Sequence, residues 1–265
     1  MFTKAETTFQ SDVTDKSIAI ITNPSKQKGK ADYREKWLKK MEFLNSISAQ
    51  TNAVILLHDT SVNRFLYMSD KPKILGNYNP ADFTSETGMD FFFSNIHAEQ
   101  RSAALLIQLQ IMSYGMDNSS ACLNNCVANM RFLYKRKSGG HFQFLQKAMV
   151  VETDPSGYPL LYLYYGFDIS HLVRPSVGLI INTPDETLIW AYNIHKKSLD
   201  RVNLLSRQEK KILGLLAQGK HSKEIGDMLF ISSHTIDTHR RNLLKKTNCI
   251  DSTALISFAK MTGLI

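Results

Sequence analysis

The stretch from Leu204 to Thr247, LLSRQEKKILGLLAQGKHSKEIGDMLFISSHTIDTHRRNLLKKT, decides the fold of its end of the chain. Ser206 followed three residues later by Glu209 has the form of a capping box. The hydroxyl can accept from a free amide at the helix start while the carboxylate reaches back to the cap amide. Ile212, Leu213, Leu215 and Leu216 then give an apolar helical stripe, and Gly219 supplies the positive φ that ends it. Ser222 can cap a second helix through about Leu229, with Ile225, Met228 and Leu229 as its buried face. Phe230-Ile231-Ser232 is the turn. A third helix runs from a cap at Ser232 or Ser233 to about Thr247, and a fourth from about Ser252 to Lys260, stopped by Gly263.

The third helix divides into two faces. Ile236, Leu243 and Leu244 point inward, whereas His234, Asp237, Thr238, Arg241 and Lys245 recur along one side and are all polar. Two short helices, a tight turn and a third helix with a polar stripe are the parts of a helix-turn-helix, whose second helix enters the major groove. Charge supports this reading. Residues 203–265 carry 10 Lys and Arg against 5 Asp and Glu, whereas residues 51–202 balance at 13 and 13, so most of the +8 formal charge sits where phosphates would be met.

Leu205 through Leu213, Ala217-Gln218-Gly219, Lys223-Glu224-Ile225-Gly226 and Ile231 through His239 together resemble the DNA-binding domain of the LuxR/NarL family, over about the last 62 residues. The resemblance implies that Asp237, Thr238 and Arg241 read bases, and that Ser232, Thr235, His239, Arg240 and Lys245 contact phosphates. Arg241 suits a bidentate contact to guanine; Asp237 can accept from cytosine N4 or repel phosphates and sharpen register. The fourth helix, Thr253 to Met261, is the usual dimer surface of the family. The resemblance therefore implies a homodimer on an inverted repeat in double-stranded DNA, with RNA polymerase as a further candidate partner. Three positions depart from the family pattern: Gln208 replaces Arg, Gly226 replaces a small Ala, and Thr247 replaces an apolar residue. A mid-helix glycine costs up to about 1 kcal/mol relative to Ala, so these departures bear on stability rather than on the groove-facing stripe.

At 265 residues and 30.1 kDa, with 43% hydrophobic and 21% charged residues, the chain suggests two globular domains. No run approaches the roughly 18 apolar residues of a spanning helix, no leader pattern opens the chain, and three cysteines do not make a disulfide scaffold. A cytoplasmic protein without membrane contact is expected. Residues 1–30 read as an irregular arm with one apolar run, Ile18 to Ile21. Ala31 to Ser48 reads as one amphipathic helix bearing Tyr33, Trp37, Met41, Leu44 and Ile47, packed on its own domain.

Beyond it, Ala53 to Leu57 and Arg64 to Ser69 read as strands, 80–94 as short helices, and Ala98 to Met112 as a helix with Leu105, Leu109 and Met112 on one side. Val127 to Lys137, His141 to Thr153 and Leu160 to Ile169 read as long strands joined at Gly139-Gly140 and Asp154-Pro155-Ser156-Gly157. This order predicts an α+β domain with a five-stranded antiparallel sheet. It resembles the PAS sensor fold, most clearly in Asp154 through Pro159 leading to Gly166-Phe167-Asp168-Ile169-Ser170. Residues 1–50 are then arm and helix, 51–174 a PAS-like sensor domain, 175–203 a hairpin and linker, and 204–265 an all-α four-helix LuxR-type domain. The hairpin is Val177 to Asn182 with Leu188 to Asn193, His195 to Asn203 is polar linker, and whether the hairpin joins the sheet is open.

The remaining chemistry is sparse. Cys122 and Cys126 read as small buried hydrophobes. Asn125-Cys126-Val127-Ala128 lacks the run a flavin photosensor needs. His97 or His141 could ligate haem, but a lone histidine is more often structural. Dispersed histidines predict no metal, and Asp59 lacks the acidic pair of a phosphoacceptor site. No catalytic constellation and no cofactor is expected. The layout is that of a regulator whose sensor domain binds a small molecule or protein partner. The alternative is a constitutive DNA binder whose PAS-like unit is a ligand-free dimerisation module.

Overall fold

A computed structural model of the chain describes residues 32–70, 73–118, 122–123 and 125–265. The expected arm, including Ile18 to Ile21, lies outside the described residues. Eight strands, β1 (Val54–Asp59), β2 (Arg64–Met68), β3 (Val127–Lys135), β4 (His141–Thr153), β5 (Pro159–Asp168), β6 (Gly178–Asn182), β7 (Thr187–Asn193) and β8 (Ser198–Arg201), form one sheet. Their order is β2-β1-β5-β4-β3-β6-β7-β8, and every neighbouring pair is antiparallel. The five expected strands thus make the PAS-like α+β core, and three more extend it beyond β3. The hairpin whose membership was open pairs with β3 through Asn129 opposite Ile180 and Arg131 opposite Gly178. The segment expected as polar linker contains β8, an edge strand in which Asp200 lies opposite Ala191.

Both faces of the sheet are covered, which is why strands such as β1 and β5 are apolar on both sides. On one face lie α3 (Pro80–Thr84), α4 (Gly88–Ser94) and α5 (Ala98–Asp117), over a core rich in rings: Phe65, Phe92, Phe132, Tyr134, Phe144 and Tyr164. Edge-on ring contacts at about 5 to 6 Å fill it, as Phe92 against Phe132 at 6.0 Å and Phe132 against Phe144 at 5.6 Å. Helix α5 runs further than expected, and its buried face is Ala103, Ala104, Ile107, Ile111 and Met112, with Leu105 exposed. Two alanines side by side let the helix lie close to the sheet, and Leu105 rotates outward as a result.

The opposite face is shared. Its β1–β5 half is covered by α1 (Asp32–Leu38) and α2 (Met41–Thr51), through Tyr33, Trp37, Leu44 and Ile47. The single helix expected over 31–48 is therefore two, broken at Lys39 and Lys40, where the Lys40 ammonium lies 4.3 Å from the Trp37 ring centroid. Met41 is left partly exposed, at 39%. The other half is covered by the C-terminal helices α6 (Arg207–Ala217), α7 (Ser222–Leu229), α8 (Ser233–Thr247) and α9 (Ser252–Thr262). Leu145, Ile169, Val173, Ile180 and Ile189 of the sheet side join Leu205, Ile212, Leu255 and Phe258 in one continuous core.

Candidate nucleic-acid interface

The C-terminal module is built on its caps. Ser206 accepts from the Glu209 amide at 3.2 Å, and Glu209 accepts from the Ser206 amide at 2.7 Å, which closes the capping box at the start of α6. Glu209 is also reached by the Lys246 ammonium, 2.7 Å away at the far end of α8. Burial pushes the Glu209 carboxyl up, but Lys246 and the Ser206 amide outweigh it and hold it below the ordinary carboxylate range. Gly219 takes φ of +82° and ends α6.

Helix α7 begins one residue away from the expected cap. His221 is the cap residue, with its amide donating to Glu224 at 2.8 Å, and Ser222 is the first helical residue. Ser222 is freed from capping because its hydroxyl is used elsewhere: it donates to Asp237 at 2.6 Å and accepts from Arg240 at 2.8 Å. Ile225 and Gly226 are buried, whereas Met228, expected inside, is half exposed. The turn rotates that side outward, with Phe230 at φ +56° and 94% exposed. Gly226 is not the weak point its propensity suggests. A Cβ there would stand 2.7 Å from the Ile231 carbonyl, so the glycine is what lets the turn close against α7.

Helix α8 is capped by Ser232, which accepts from the Thr235 amide at 3.0 Å. Ile236 and Leu243 are fully buried and fix the helix's rotation. That rotation leaves Ser232, His234, Thr235, Asp237, Arg241 and Lys245 exposed, and Thr238 and His239 partly exposed. Of the base-reading candidates, Thr238 accepts from Arg241 at 3.0 Å and donates to the His234 carbonyl at 3.1 Å, while Asp237 is held by Ser222 and by Arg240 at 3.5 Å. Arg240 stands apart from the other phosphate candidates. It donates to Ser222 on α7 and to Ser252 on α9, the latter at 3.0 Å, and so ties three helices together.

Helix α9, capped by Asp251, turns Phe258 and Thr262 toward the sheet while Thr253 and Lys260 face solvent. Arg131 of β3 donates to the Thr247 carbonyl at 3.0 Å, its guanidinium lies 5.0 Å from the Phe258 ring centroid, and Asn182 donates to the Gly263 carbonyl at 2.9 Å. Backbone pairing between Val173 and Cys249 adds a bridge. The departure at Thr247 has its place here. The side chain is fully buried and donates to the Leu243 carbonyl at 2.8 Å, and its own carbonyl is the acceptor for Arg131.

The other flagged residues fall elsewhere. Cys122 and Cys126 are buried beside Tyr162, and burial with the neighbouring thiol pushes Cys122 up to about 12. His97 and His141 pair ring to ring at 4.9 Å, and among the described residues no group of three His, Cys, Asp or Glu gathers at one point. Asp59 is buried under Arg34 and Tyr33, the latter donating at 2.9 Å. No helix among the described residues is long and apolar enough to cross a membrane.

Residues 203–259 match the family of bacterial regulatory proteins, luxR family. Over 63 residues, 24% of this chain and 30% of the relative, the sequence is 40% identical to the virulence factors putative positive transcription regulator BvgA of Bordetella pertussis. It is 43% identical to the regulatory protein SdiA of Escherichia coli over 60 residues, 23% of this chain and 25% of that one. The chain thus spans less than a third of the length of these relatives. Among solved structures, the Vibrio cholerae VqmA dimer is 15% identical, with 85% of this chain and 88% of that one covered at a TM-score of 0.33. The N-terminal domain of a diguanylate cyclase with PAS/PAC sensor from Marinobacter aquaeolei is 15% identical, covering 45% and 96% at a TM-score of 0.34. Both overlaps are loose. The C-terminal module is a LuxR-family helix-turn-helix domain.

Proposed function

We propose that the chain is a transcription regulator that binds double-stranded DNA as a homodimer, reading an inverted repeat with α8 in the major groove. The observation that carries this reading is the exposed polar stripe of α8, held in rotation by Ile236 and Leu243. In this reading Arg241, Thr238 and Asp237 face base edges; Ser232, Thr235, His239 and Lys245 meet phosphates, and Arg240 reaches one only by giving up a serine contact. The free amides at the start of α8 add an anion-binding end. The sheet domain would act on the module through the Arg131, Asn182 and Val173 contacts, with RNA polymerase as a further partner at the promoter.

A second reading has its own support. The ring-filled core beneath α4 and α5 holds beside Ile111, Gly115 and Tyr162 a cavity of about 20 Å³, room for about one water. A cavity of that size leaves no room for an organic ligand at that point, in keeping with a sheet domain that serves as a dimerisation or protein-interaction module. Selection from randomised duplexes at two salt concentrations, followed by sequencing of the bound fraction, tests the main reading. Recovery of a two-fold motif supports it; salt-sensitive binding without any motif contradicts sequence-specific function.

A further inference from the structure

A second cavity, of about 80 Å³, lies on the opposite face of the sheet, in the seam where the C-terminal helices dock. Its walls include Leu145, Ile180, Ile189 and Phe258, and its polar lining includes Lys246, Thr262 and two residues two apart on β3, Asn129 and Arg131. Such a spacing puts both side chains on the same face of the strand, with Cα atoms about 7 Å apart.

Each residue is partly matched by what surrounds it and has polar atoms to spare. Arg131 spends Nη1 on the Thr247 carbonyl, and among the described residues no carboxylate pairs with it. The side chain is half-buried, its guanidinium 5.0 Å from the Phe258 ring centroid, and desolvation pulls its pKa down to about 10. Nε and Nη2 have no hydrogen-bond partner among the described residues. Gly178 stands directly across the β3–β6 ladder, and even a methyl group there would touch this end of the guanidinium, at 3.7 Å from Nε and 4.0 Å from Nη2. Asn129 is 2% exposed and donates from Nδ2 to Asn182 Oδ1 at 2.7 Å and to the Ile180 carbonyl at 3.3 Å. This fixes its orientation, and its Oδ1 has no donor among the described residues. A buried acceptor left unmet favours a ligand that brings an N–H or O–H.

We propose that this seam binds a small carboxylate carrying a hydroxyl or amine on the adjacent carbon, with Arg131 taking the carboxylate and Asn129 accepting from the donor. The volume limits the rest of the molecule to a short alkyl group against Ile180 and Ile189. A monoanion fits better than phosphate, because the second cation in the lining, Lys246, is already held by Glu209. The same guanidinium grips the end of α8 and lies against α9, so a ligand drawing on it changes how the helix-turn-helix domain is held. Binding stands independently of the regulator reading; only that consequence for DNA rests on it.

Calorimetric titration of the full chain with L-lactate and with L-alanine, and with acetate and inorganic phosphate for comparison, tests the site. Saturable one-to-one binding of L-lactate or L-alanine is expected, with acetate several-fold weaker for lack of a donor. Arg131→Gln should weaken it at least tenfold. Ile189→Phe, which fills the cavity and keeps the guanidinium, should do the same, and matching far-ultraviolet spectra guard against loss of fold. No binding of either donor-bearing acid, binding undiminished in both variants, or phosphate binding more tightly than L-lactate would overturn the proposal. A parallel measurement on the selected duplex, with and without L-lactate, keeps the two claims apart: if DNA is never bound, the regulator reading fails while the titration still decides the site.

Discussion

Arg240 and Arg241 are neighbours on α8, and replacing each by Ala should separate stability from recognition. The Arg241 side chain is exposed and its one hydrogen-bond partner among the described residues is Thr238 at 3.0 Å, so Arg241→Ala should change unfolding free energy by no more than about 0.5 kcal/mol. Arg240 bonds Ser222 at 2.8 Å and Ser252 at 3.0 Å across three helices, with its side chain 33% exposed. Hydrogen bonds from a charged donor contribute about 1.5 to 3 kcal/mol when fully buried, and solvent screening lowers the expected loss for Arg240→Ala to about 1 to 2 kcal/mol. On DNA the order reverses. Arg241→Ala should cost about 1 to 3 kcal/mol on the selected site, roughly 5- to 150-fold in Kd, and relax specificity at one base pair. Arg240→Ala should weaken all duplexes alike. Urea unfolding gives the first quantity, and fluorescence anisotropy on the selected and a scrambled duplex gives the second. Equal weakening of both duplexes by Arg241→Ala, or a loss of stability as large as that of Arg240→Ala, would refute the assignment of Arg241 to base reading.

Gly226→Ala should destabilise by about 1 to 2 kcal/mol in urea unfolding although alanine is the better helix former, because the new Cβ would sit 2.7 Å from the Ile231 carbonyl; a stabilised variant would contradict this. Gly166→Ala should cost about 3 kcal/mol, since its Cβ would lie 2.1 Å from Cζ of the fully buried Phe144 ring, and a Tm within a few degrees of the parent would show that the sheet yields. His58 is fully buried, and burial pulls its pKa down to about 4 against the opposing pull of Asn63 and Asp59. The unfolded histidine, near 6.5, takes up its proton first, so this contribution is whole above about pH 6.5 and is lost as pH falls toward 4, about 3 kcal/mol in all. The Tm drop between pH 7.5 and 4.5 should therefore shrink in His58→Gln, and an unchanged drop would rule the group out.

The helix-turn-helix domain was legible because its signals are local. Ser206 with Glu209, Gly219 and the stripes of α6 and α8 act within a few residues of one another, and the structure keeps them. The cap of α7 was misplaced because Ser222 answers to Asp237 and Arg240, 15 and 18 residues away. The same limit hid the docking seam. Arg131 reads as one cation in an alternating strand, and its contact with Thr247 lies 116 residues on. Strand β8 reads as linker since Ser198-Leu199-Asp200-Arg201 pairs on one side only and needs no apolar face of its own. In α5 the large Leu105 outweighed Ala103 and Ala104 in the reading, although close approach to a sheet favours small residues. The arrangement of Asp237, Thr238 and Arg241 was legible from spacing alone; that Arg240 is committed to Ser222 and Ser252 was not.

The most direct test of the central claim is the affinity of the full chain for its selected inverted-repeat duplex against a scrambled duplex of equal length and composition, at physiological salt. At least about 10³-fold tighter binding to the selected site is expected. Equal affinity for the two duplexes, falling steeply with salt on both, would mean that the module meets phosphates without reading bases, and would contradict it.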